Sequence, residues 1–170
     1  MEILIFPGFS ASNKEWAVET KNSLSLIAPT TLIESKHWNT EKKDSDWIEK
    51  AVQEISEKIG DKKVNILAKS IGTYVLMKVL AEKSENIEKI ILCGVPLTDL
   101  DEDDKKLYQN LEEFPAANLL CIQNENDNHG SFADTEKFLH AINPEFTVIS
   151  KPREDHNYPY PEDFVKFLSL

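Results

Sequence analysis

The chain has 170 residues, 41% of them hydrophobic and 29% charged, which suits one domain with its own core and excludes a long disordered protein. Nineteen basic residues against 30 acidic ones leave a net charge of −11, so a nucleic-acid backbone or an anionic membrane is repelled over most of the surface. No run approaches the ~20 apolar residues that span a bilayer, and MEILIFPGFS lacks the basic start and cleavage site of a secretory signal. A cytoplasmic protein of one domain, 1–170, is expected.

Taken in chain order, short runs rich in Ile, Leu and Val alternate with helical spacing. EILIF (2–6) and TTLI (30–33) read as the first two strands. In 44–60 Trp47, Ile48, Ala51, Val52, Ile55 and Ile59 share one helical face, with Asp44 or Ser45 to cap it and Gly60 just past its end. VNILA (64–68) is the third strand, followed at once by a stripe of Ile71, Val75, Leu76, Val79 and Leu80. KIILCGV (89–95) is the fourth, and the acidic TDLDEDDKK (98–106) after it reads as a solvated helix start. NLLCIQ (118–123) and FTVIS (146–150) complete six strands. Ser131 opens a helix with Asp134 in capping-box position, and Pro161 suits the first position of the last helix. Runs that are apolar on successive residues fit strands covered on both faces, so the pattern predicts an α/β three-layer sandwich with a parallel sheet and right-handed crossovers.

In such sheets chemistry gathers at the carboxyl ends of the strands. Ser70, in AKSIG, stands at a strand-to-helix turn, where a serine is either a helix cap or a nucleophile held on a sharp elbow. Lys69–Ser70 also matches the end of a phosphate-binding loop, but that loop needs glycines where this chain has Lys63 and Ala68. A nucleophilic serine needs a base and an orienting carboxylate. Of the four histidines, His140 lies within a helix pattern, His37 in an ordinary loop, and His129 two residues from Asp127. His156 falls in the polar loop after the sixth strand, on the side of the sheet that carries Ser70. Asp127 follows the fifth strand, with Asp99 and Asp101 as rival acids after the fourth; Asp155, next to His156, is expected to point away from it if the two follow an extended backbone. Cys93 and Cys121 sit in apolar runs without CxxC spacing and read as buried hydrophobes, and nothing calls for a metal or an organic cofactor.

The order Ser, Asp, His, with FPGF (6–9), AKSIG, ENDNHG and EDHNY on successive loops, resembles a small α/β-hydrolase over nearly the whole chain. The resemblance implies Ser70 as nucleophile, His156 as base and Asp127 as its orienter, with the backbone N–H groups of Phe9 and Ile71 as an oxyanion hole. It departs from the family at Pro7, where histidine is frequent, and at Ala68, where glycine is usual; Lys69 either tunes the local field or points to solvent. It also implies a trimmed sheet of order 2-1-3-4-5-6 and no substantial cap between the fourth and fifth strands. An open cleft would then take a small soluble acyl substrate, with Phe9, Trp16, Trp38, Leu97 and Tyr158 as candidate walls. The expected activity is cleavage of a carboxylic ester or related acyl bond through an acyl-serine; the alternative is a non-catalytic binding protein that keeps the fold. The oligomeric state has no signature in the sequence.

Overall fold

The computed structural model describes residues 1–35, 38 and 45–169. Six strands, β1 (Glu2–Phe6), β2 (Thr30–Leu32), β3 (Val64–Lys69), β4 (Ile87–Cys93), β5 (Leu119–Asn124) and β6 (Thr147–Lys151), form one parallel sheet in the order 2-1-3-4-5-6. The six-stranded parallel sheet read from the apolar runs is therefore present, with the expected order. Every residue of β3 and β5 is buried, whereas the edge strands β2 and β6 contain no fully buried residue. Central position, not composition alone, decides which strands are covered on both faces.

Two apolar clusters occupy the two faces. Leu4, Phe6, Ile66, Ala68 and Leu92 pack with α2 (Trp47–Ile59), α3 (Ile71–Lys83) and α5 (Phe132–Ile142). Ile3, Ile5, Leu67, Ile91 and Cys93 face the other way, against α1 (Asn13–Leu24) and α6 (Pro161–Ser169). The alternation along each strand sends odd and even positions to opposite layers.

The helix read over 44–60 begins at Trp47, capped positionally by Asp46 rather than Ser45, and ends at Ile59 before Gly60. Asp44 and His37 lie outside the described residues. Ser131 accepts from the Asp134 N–H, and α6 starts on Pro161, as their positions suggest. α1 has no counterpart in the sequence pattern, because its buried face includes the polar Asn13 and Thr20 beside Trp16, Ala17 and Leu24. Between β4 and β5 stand the short α4 (Glu102–Lys106) and a 3₁₀ turn, Leu107–Leu111, whose Tyr108 hydroxyl lies 2.7 Å from Thr73 Oγ1 on α3. This segment is thereby tied down to the flank of α3. No described helix is long and apolar enough to cross a membrane.

Candidate active site

All six strands run the same way, so the loops after β1, β3, β4, β5 and β6 share one edge of the sheet. Ser70 joins β3 to α3 with φ 56° and ψ −131°, the only non-glycine residue at positive φ among those described. That conformation costs about 1–3 kcal/mol for a residue with a Cβ and persists only where the surroundings impose it. Here the Ser70 N–H donates to the Cys93 carbonyl (2.9 Å), while its carbonyl accepts from the Thr73 N–H and hydroxyl. Gly72 allows the elbow to close: a Cβ there would lie 2.4 Å from the Phe6 carbonyl oxygen. Ala68, standing where the family usually has glycine, is fully buried opposite Phe6 and Leu92 without breaking the register.

Asp127 is the carboxylate that meets an imidazole. Its Oδ2 accepts from His156 Nδ1 (2.6 Å) and from the Tyr158 hydroxyl (2.5 Å), and its Oδ1 accepts from the His129 N–H (2.8 Å). Burial pushes this carboxyl upward, but the hydrogen bonds from His156, Tyr158 and His129 outweigh it and hold Asp127 below the usual carboxylate range. It therefore stays ionised and accepts the Nδ1 proton of His156, which leaves Nε2 as the free base in the neutral ring.

That Nε2 is buried and has no hydrogen-bond partner among the described residues, a condition that in a native protein asks for a functional explanation. The imidazole packs over Gly94, whose missing Cβ would lie 2.9 Å from His156 Cε1; Gly94 directly follows Cys93, the residue bonded to the Ser70 N–H. The Ser70 backbone and the His156 imidazole thus meet the same strand end, and no hydrogen bond joins their side chains among the described residues.

The rival acids are occupied elsewhere. Asp101 caps α4 in a reciprocal capping box with Asp104, and Asp99 pairs with His129 Nδ1 at 2.6 Å. The His129 ring lies 4.4 Å from that of His156, so this second Asp–His pair borders the first. Asp155 forms a two-pronged pair with Arg153, and His140 is bound to the Phe146 carbonyl within α5 and its following turn.

Sequence reading misplaced the cleft walls. Tyr158 is not a wall: it is fully buried beneath the histidine loop, with its hydroxyl donating to Asp127 and accepting from the Asn124 N–H. Trp38 is 8% exposed and packs under the first loop, where its Nε1 donates to the Gly8 carbonyl (3.4 Å). Trp16 is buried too, its Nε1 donating to the Tyr158 carbonyl. Leu97 is 9% exposed and edges a separate surface groove with Thr98, Lys105 and Gly130. Phe9 alone of these residues lines the apolar cavity of about 70 Å³ beside the elbow, together with Phe6, Pro7, Trp47, Ile71 and Val75.

Two buried amides went unnoticed in the sequence. Asn124 Nδ2 donates to the carbonyls of Asp155 (2.7 Å) and Asn157 (2.8 Å), clamping the backbone on either side of His156. Gln123 accepts from the Val95 N–H and donates to the Gly130 carbonyl, joining the loops after β4 and β5. Their signal was a polar pair, Gln-Asn, at the carboxyl end of an otherwise apolar strand. Among the described residues, no three His, Cys, Asp or Glu side chains converge as a metal site.

A parallel sheet of this order, with a strained serine after its third strand, defines an α/β-hydrolase fold. The chain belongs to the serine hydrolase family, whose model matches residues 3–155. Among solved structures it is similar to a serine hydrolase involved in carbazole degradation (TM-score 0.70, 18% identity, covering 99% of this chain and 90% of that one). It is also similar to an α/β serine hydrolase without lid from Xanthomonas campestris (TM-score 0.68, 14% identity, 98% and 78% covered) and to an α-β serine hydrolase homologue from Coxiella burnetii (TM-score 0.63, 20% identity, 99% and 82% covered). At these identities the structural likeness concerns the fold alone. No curated protein matches the chain in sequence.

Proposed function

We propose that this protein is a serine hydrolase that cleaves a carboxylic ester or related acyl bond of a small substrate, as a single lidless domain. The observation that carries the reading is the backbone of Ser70, a φ of 56° in a residue with a Cβ. A helix cap needs no such strain, since cap residues take ordinary extended φ/ψ; an elbow that lifts a hydroxyl clear of the sheet does.

In this reading His156 Nε2 takes the Ser70 proton as Oγ attacks the acyl carbon, and Asp127 stabilises the imidazolium that forms. The oxygen of the tetrahedral intermediate lies between the N–H groups of Phe9 and Ile71. Ile71 is the first residue of α3, so its N–H has no partner within the helix and sits at the positive end of the helix dipole. The leaving group departs with the proton from His156, and water then attacks the acyl-serine by the same route in reverse. The cavity between the first loop and the elbow is lined mainly by apolar side chains, with Glu34, Lys50 and Glu54 also at its wall, and supports a small, largely hydrocarbon acyl group.

A fluorophosphonate probe tests the proposal. Labelling of the wild type that disappears in Ser70→Ala and falls sharply in His156→Ala is expected. Folded wild-type protein that takes up no probe would instead favour a binding protein on the same scaffold.

A further inference from the structure

Lys69 precedes the elbow serine, yet its side chain is only 3% exposed. Strand alternation explains the direction: Lys69 is two residues from Leu67, whose side chain belongs to the layer under α1 and α6. A buried ammonium ordinarily finds a carboxylate. This one instead donates to the neutral carboxamide oxygen Oδ1 of Asn13, the first residue of α1, and lies 5.3 Å from the centre of the Trp16 ring.

The partner matters because Asn13 is itself nearly buried, at 6% exposure, and faces the loop after β1. With Oδ1 committed to the cation, the Nδ2 end must point the other way, and it donates to the Ser10 carbonyl (3.2 Å) and hydroxyl (3.0 Å). The same carboxamide is pressed against Gly8, where a Cβ would lie 2.6 Å from Nδ2. Gly8 and Ser10 bracket Phe9. The Gly8 carbonyl itself accepts from Trp38 Nε1 at 3.4 Å. Because a peptide unit is planar and trans, fixing the Gly8 carbonyl and flanking the unit with a rigid amide fixes the direction of the Phe9 N–H.

We propose that Lys69 is a positioning residue that sets the orientation of the Asn13 carboxamide and, through it, the Gly8–Phe9 peptide whose N–H faces the reacting oxygen. A lysine supplies donors only, so it permits one of the two amide orientations and excludes the flipped one. The cation does not touch the substrate; it acts through Asn13. The inference rests on the hydrolase reading above, in which the Phe9 N–H serves the oxyanion.

The test compares Lys69→Met, Asn13→Ala and Asn13→Asp with the wild type in steady-state hydrolysis of p-nitrophenyl acetate, alongside thermal unfolding. Asn13→Asp is the discriminating variant: it keeps an acceptor for Lys69, now charged, but removes the Nδ2 donor to Ser10. Displacing an oxyanion donor acts on the transition state, so kcat is expected to fall by about tenfold or more in Lys69→Met and Asn13→Asp. KM should change by less than about threefold, since ground-state binding is spared. The double variant Lys69→Met/Asn13→Asp should lose no more than either single one. Asn13→Asp should melt no lower than the wild type. A folded Asn13→Asp with wild-type kcat overturns the inference, and so does a folded Lys69→Met with wild-type kcat. Should Lys69→Met not fold, Asn13→Asp decides alone. Wild-type protein that neither hydrolyses the ester nor takes up a fluorophosphonate overturns the hydrolase reading and this inference together, whereas an active wild type with equally active variants overturns this inference only.

Discussion

Replacing Lys69 with methionine is expected to make the protein more stable at neutral pH while impairing its turnover. Burial is the largest influence on the ammonium and drives its pKa from 10.5 down to about 8, against the opposing pull of Cys93, Asp127 and Asp155. At about 1.4 kcal/mol for each pH unit, keeping this group charged in the folded state costs roughly 3 kcal/mol at pH 7. Methionine has a similar length and no charge to desolvate, but it strands the Asn13 acceptor at a cost of about 1–2 kcal/mol. The net gain should be about 1–2 kcal/mol at pH 7. Its pH dependence has a definite sign. Between about pH 8 and pH 10.5 the unfolded chain still binds the lysine proton while the folded one has released it, so wild-type stability rises through that window relative to the variant. The raised tyrosines Tyr74, Tyr108, Tyr158 and Tyr160 act on both proteins alike and cancel in the difference. Urea unfolding of both proteins at pH 7 and pH 10 measures it. A methionine variant less stable than wild type at pH 7, or an advantage that does not shrink by pH 10, would refute the reasoning.

Three other substitutions test the geometry. Asp127→Asn cannot hold the same His156 tautomer and should lower kcat by ~10⁴ with the fold intact. Because the Asp127 pKa is depressed in the fold, its stabilisation is present above about pH 4 and lost as pH falls through the folded value, so this variant should show a flatter acid-unfolding curve. Ser70→Gly relieves the positive φ and should unfold at higher denaturant than Ser70→Ala, by about 1 kcal/mol, with both variants inactive; equal midpoints would contradict the strain. Gly72→Ala drives a methyl into the Phe6 carbonyl and should destabilise by about 1–3 kcal/mol, read from its urea midpoint, because backbone rather than a flexible side chain stands in the way.

The sheet was legible because Ile66, Leu67 and Ala68, or Ile90, Ile91 and Leu92, are apolar on successive residues, which only a strand covered on both faces requires. The shared edge followed from connection rules, whereas the strand order was what the resemblance to the α/β-hydrolases implied. The α1 helix was hidden because Asn13 and Thr20 are buried for polar reasons that no apolar stripe announces. The errors at Tyr158 and Trp38 have one cause: an aromatic in a loop reads as a wall, while here each uses its polar atom to hold a loop from below. Lys69 was the most misleading position, since a charge beside a catalytic motif suggests solvent or field. Its parity with Leu67 was the available clue, but burial of an ammonium against an amide depends on α1, which the pattern did not reveal.

The proposed covalent step can be caught directly. Acid-quenching the wild type during turnover of p-nitrophenyl acetate and mapping the product by peptide mass spectrometry should find one acetyl group, on the peptide that carries Ser70 and on that hydroxyl. Hydrolysis without any adduct, or an acetyl group on another side chain, would contradict the acyl-serine chemistry assigned to this elbow.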